Sequence, residues 1–104
     1  MIKHIVFWRL KENAHGNDKA TNARLIKEKL EALQGKIPGL LKIEVGFDFL
    51  HTDTSSYIAL YSEMESRAAL DAYQVHPLHQ ALGGFIKEAY VERRSVDYEV
   101  ADPG

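Results

Sequence analysis

The chain has no cysteine among its 104 residues. Disulfides, thiolate metal sites and cysteine nucleophiles are therefore excluded. It has little excess charge: a formal net charge of −2 gives no general field to draw in nucleic acid, and the local pair Arg93–Arg94 is too small to change that. It also lacks a long hydrophobic run. The opening stretch "MIKHIVFWRLKEN" is apolar only briefly before Arg9 and Lys11. That is too short to span a bilayer, and no small-residue cleavage site of a signal peptide follows. The expectation is a cytoplasmic protein without nucleic-acid or membrane partners. Repeats, low-complexity segments and linkers are absent too, so one domain over residues 1–104 is expected.

What is present is ordinary globular material, 45% hydrophobic and 27% charged, which is enough apolar residue to build a core. A domain of this size buries only about 60% of its unfolded surface, so further burial in a dimer would help it. Ile2–Leu10 reads as a strand with Ile2, Val6, Trp8 and Leu10 on one face, His4 between them, and Ile5 and Phe7 on the other. Two apolar faces imply burial on both sides. "KENAHGND" reads as a polar loop. A helix starts at Asn17 or Asp18, either of which can cap it, and carries Ala23, Ile26, Leu30, Leu33 and Ile37 at steps of three and four. Gly35 ends it and Pro38 prevents its continuation, so Ile37 packs from the loop.

A second strand alternates Leu41, Ile43, Val45, Phe47 and Phe49 against Lys42, Glu44 and Asp48. Tyr57–Met64 is a third, and the short polar loop between the two predicts an antiparallel hairpin. Ser66 caps a further helix through Ala69, Leu70 and Tyr73. Pro77 disfavours helical geometry at His76, so the helix breaks there and restarts with Pro77 in its first position, running through Leu78, Leu82, Phe85, Ile86 and Ala89. Val91–Val100 is the last strand and "ADPG" a frayed tail. The order β-α-β-β-α-β is the α+β, ferredoxin-like pattern, one four-stranded sheet with helices on one face. The bare face needs a cover. A second copy of the same sheet is the simplest one, giving a homodimer.

The stretches "MIKHIVFWRLK", "IPGLLKIEVGFDF", "ESRAALDAYQVHPLHQ" and "VDYEV" resemble the stress-responsive A/B barrel (Dabb) domain over nearly the whole chain, most specifically at Tyr-x-x-His-Pro-x-His. The resemblance implies a ferredoxin-like protomer in a dimeric α/β barrel. One plant member of that family is a polyketide aldol cyclase that works without a cofactor, and other dimeric α/β barrels are cofactor-free monooxygenases. Position by position, the resemblance implies His79, Tyr73 and His4 as catalytic residues and Asp97 and His76 as ligand-binding or supporting ones. Ile58 stands where the cyclase has a further active-site His, so the cyclase's substrate does not transfer. Trp8 is read as core on the same apolar face as His4, and Ile58 and Trp8 are counted with the ligand-binding or supporting residues. No cofactor is implied.

The residue chemistry is compatible with several readings. An imidazole titrating near neutrality can take a proton from carbon beside a carbonyl while a phenol bonds the resulting oxyanion, a role open to His79 and Tyr73 on either side of the helix break. Alternatively, Tyr73 is a core aromatic and His79 a structural link. His4 is either a satisfied core histidine or faces His79 across a pocket. The second requires it to project toward the helices. His76 is best read as the cap of the helix that starts at Pro77. His4, His76 and His79 number enough for a zinc set, but the proline disturbs their spacing and no metal is expected. His15 and His51 read as solvated. The favoured function is the binding of a small apolar or carbonyl-bearing ligand between helices and sheet. The alternatives are a cofactor-free cyclase or monooxygenase using the His/Tyr pair, and a structural or protective oligomer without a pocket.

Overall fold

Among the described residues, nine elements occur in the order β1 (Ile2–Leu10), β2 (Asn13–Ala14), β3 (Asn17–Asp18), α1 (Lys19–Glu31), β4 (Leu40–Phe47), β5 (Ile58–Met64), α2 (Arg67–Val75), α3 (Pro77–Ala89) and β6 (Tyr90–Glu99). They come from a computed structural model that describes residues 1–101; the last three residues of the tail expected to fray lie outside the described residues. The main sheet is antiparallel in the order β4-β5-β1-β6. The helices cover one of its faces. This is the ferredoxin-like arrangement expected, with the second helical segment split in two.

The local signals act where the sequence places them. Asp18 caps α1, its Oδ1 accepting from Thr21 N at 2.8 Å, and Ser66 Oγ accepts from Ala69 N at 3.1 Å to cap α2. Ala23, Ile26, Leu30, Leu33 and Ile37 are all buried, the last from beyond the helix end. They pack against Ile2, Val6, Trp8 and Leu10 of β1 and against Leu60 and Met64 of β5.

Three local readings change. "KENAHGND" is not a plain loop: β2 and β3 form a two-residue ribbon around His15 (φ 55°) and Gly16 (φ 76°), the paired positive φ values of a tight hairpin turn. Asn22 ties the ribbon to α1, donating to Ala14 O at 2.9 Å from a fully buried position. His15 stays exposed, as expected, but is held in place. Its ring stacks on Phe85 of α3 at 4.2 Å, and its Nε2 donates to the Phe85 carbonyl at 2.9 Å. In β4 the alternation slips at the start, because the register against β5 shifts between Leu40 and Lys42. The extra residue of that bulge is Leu41, which turns outward while Leu40 takes the core position. At the other end β4 stops at Phe47, and Phe49 lies in solvent.

Gly39 links α1 to β4 at φ +84°, and a Cβ built on it would lie 2.7 Å from Ala69 Cβ. Both the backbone and the space require glycine. Gly39→Ala should cost roughly 1–3 kcal/mol, to be read as a lower urea midpoint at unchanged slope.

Candidate functional site

Because side chains alternate along β1, the parity that buries Ile2, Val6 and Trp8 also turns His4 toward the helices. Its backbone sits opposite Ser62 on β5 and Asp97 on β6. Ser62 Oγ donates to the His4 carbonyl at 3.0 Å. The imidazole is almost fully buried, and its Nδ1–H donates to the Asp97 carboxylate. An anion on Nδ1 fixes the tautomer and leaves the Nε2 lone pair pointing elsewhere.

His76 sits at the junction of α2 and α3. Its Nδ1 accepts from Leu78 N at 3.1 Å, so it caps α3 directly ahead of Pro77. That engagement removes this nitrogen from any metal set. Among the described residues no group of three or more His, Cys, Asp or Glu side chains is placed to hold a metal. His76→Ala should cost about 1 kcal/mol, and His76→Asn should recover most of it, as thermal denaturation would show.

The break aims His79 back at the sheet. Its Nδ1 lies 3.3 Å from the Gln74 carbonyl, which can only accept, so Nδ1 carries the proton and Nε2 the lone pair. Burial pushes its pKa below the ordinary 6.5; the Gln74 bond opposes this, and His4, Arg93 and His76 add smaller pushes downward. His79 is therefore neutral at pH 7. Neither His4 Nε2 nor His79 Nε2 has a hydrogen-bond partner among the described residues.

Tyr73 lies between them. Its ring centroid is 4.4 Å from that of His79 and 6.0 Å from that of His4, edge-on to the latter. It is fully buried, and its hydroxyl has no partner among the described residues. Burial alone holds the phenol well above its ordinary pKa of 10, so it stays protonated and has a proton to donate.

A cavity of about 210 Å³ opens between α3 and the sheet, with His4, Trp8 and His79 in its wall and Leu30, Leu60 and Ile86 supplying apolar surface. Its volume equals roughly seven water molecules at about 30 Å³ each. The residues anticipated for the site distribute unevenly around it. His4, His79 and Trp8 line it. Tyr73 packs on both imidazoles without reaching the lining, Asp97 acts through His4, and His76 acts on the helix. Ile58 is buried apart from it and borders a separate depression with Phe7 and Phe47. Among the lining residues that the sequence did not mark for the site are Lys87 on α3 and Arg93 on β6. Only the β1–β6 register, which sets Arg93 opposite Trp8, brings the latter to this face.

A family model described as the stress responsive A/B barrel domain matches residues 2–100. No curated protein matches the chain. Among solved structures, a dimeric protein of unknown function with a ferredoxin-like fold from Bacteroides fragilis is 36% identical, at a TM-score of 0.81 with 95% of each chain covered. A dimeric ferredoxin-like protein of unknown function from Thermobifida fusca is 22% identical at TM-score 0.81, covering 95% of this chain and 90% of that one. A hydroxynitrile lyase from Passiflora edulis is 18% identical at TM-score 0.80, covering 99% of this chain and 95% of that one. The last two share the fold.

Proposed function

The chain belongs to the stress-responsive A/B barrel domain family, and on that footing we propose that it binds a small carbonyl-bearing ligand in the cavity between α3 and the sheet. The observation that carries this is the pair of imidazoles, His4 and His79, at one cavity wall, each with Nδ1 anchored and Nε2 unpaired. A cavity left open by the surrounding side chains also weighs against a purely structural oligomer. The probe is 2-pentanone, titrated against the whole chain and followed by the chemical shifts of cavity residues. Saturable shifts at His4, Trp8 and Ile86 are expected. They should vanish in Gly83→Leu, which grows a side chain from the cavity wall at a position where a Cβ meets nothing within 4 Å. Shifts that persist in that variant would place the ligand elsewhere.

A second reading, cofactor-free acid–base catalysis, is favoured by the same tautomers. His79 Nε2 is neutral and available as a base, while Asp97 orients His4 as a carboxylate orients the imidazole of a catalytic dyad. Tyr73 lies behind the cavity lining, and in this reading its hydroxyl meets the developing oxyanion only when its side chain turns toward the cavity on binding. That a hydroxynitrile lyase has this fold supports the reading at the level of the fold alone.

The unit that does this is a homodimer. The sheet face turned away from the helices leaves Phe7, Val96 and Tyr98 39%, 46% and 45% exposed, with Ile5 among them. Adjacent apolar side chains of that kind call for a covering partner. Dimeric relatives of the same fold support a second copy as the cover. Val96→Glu should shift the chain to monomer in sedimentation equilibrium, while a dimer that survives the substitution would put the contact on another face.

A further inference from the structure

Building on the cavity reading above, we propose that this site selects an anionic ligand, a short-chain keto acid whose carboxylate lies between Arg93 and Lys87 while its carbonyl meets His79. Both cations line the cavity whose remaining wall is largely apolar. Neither has a carboxylate within ion-pair distance among the described residues. Arg93 makes one weak contact, Nη1 to Ser95 Oγ at 3.5 Å. The carboxylate on the same face of β6, Asp97, is committed to His4.

The geometry separates the two signs of charge. Asp97 stands opposite His4 and Arg93 opposite Trp8, four residues apart on β6. At about 3.3 Å per residue that is roughly 13 Å along the strand, beyond a Debye length at physiological salt. Asp97 therefore stays behind His4, off the cavity wall, while Arg93 and Lys87 line it without a carboxylate partner among the described residues. An arginine fork also matches a carboxylate in a way that a diffuse field does not. A ligand of cavity size would span from those cations to His79.

The test compares 4-oxopentanoate with its methyl ester, titrated calorimetrically onto the whole chain at low and at high salt. The two probes share a carbonyl and differ in charge. We expect the acid to bind about tenfold tighter at low salt. The ratio of acid to ester affinity should shrink at high salt and fall to about one in the double variant Arg93→Gln/Lys87→Gln. Equal binding of acid and ester by the unaltered chain would overturn the anion site and leave the cavity reading standing. An acid preference that survives in the double variant would also overturn it. Failure of both probes to bind would remove the cavity reading and the anion site together. Both cations are exposed, and circular dichroism of the double variant would confirm that the fold is retained.

Discussion

Tyr73→Phe should make the protein more stable, by about 1–3 kcal/mol, because it removes a buried hydroxyl that bonds to none of the described residues. Tyr73→Ala should have the opposite effect. It opens a void under both imidazoles at a fully buried position and should cost about 3–5 kcal/mol. Urea denaturation of the two variants reads both values. The contrast matters because an orphaned buried donor is a liability that a purely structural tyrosine would not carry. Such a hydroxyl fits a role that appears only when a ligand is present. Tyr73→Phe should therefore lower ligand-dependent proton exchange about tenfold or more while the fold gains stability. A phenylalanine variant that is more stable and fully active would reduce Tyr73 to a packing residue.

His79→Ala should abolish that exchange. In deuterated water, a base at Nε2 removes a proton from the carbon beside the carbonyl of 2-pentanone, and the enolate takes back a deuteron from solvent. Loss of a positioned general base costs about a hundredfold or more in rate. Deuterium incorporation followed by proton NMR measures it. The pH profile carries a sign. Exchange needs neutral His79, whose pKa burial holds below 6.5, so the rate should stay flat from neutrality down past 6.5 and fall only at lower pH. Stability has the same sign at this residue. Below pH 6.5 the unfolded chain takes up the proton more readily than the folded one, so protonation favours unfolding as pH falls. A rate limb above 6.5 would assign the base to another group.

Much of the architecture is written in short-range patterns. Asp18, Ser66 and His76 cap the helices they precede, and Pro77 breaks the second helical segment where its missing N–H demands. The parity of β1 alone was enough to set the condition that His4 face the helices. What stayed hidden depends on register and long-range pairing. The His4–Asp97 bond joins residues 93 apart, and the residue chemistry by itself did not link them; the resemblance to the A/B barrel domain drew attention to Asp97. Arg93 was noticed only as half of a charge pair. Its place beside the cavity follows from its pairing with Trp8. The bulge at Leu41 and the ribbon around His15 are similar. A one-residue slip and a two-residue hairpin leave almost no periodic trace.

The most direct test of the account is the state of the His79 ring. Long-range nitrogen–proton correlation spectra of histidine-labelled protein at pH 7 distinguish the two neutral tautomers and follow each nitrogen as 2-pentanone is added. The account predicts a neutral His79 protonated at Nδ1, with Nε2 the resonance that moves on binding. An Nε2-protonated His79, or one whose Nε2 is indifferent to the ketone, would contradict it.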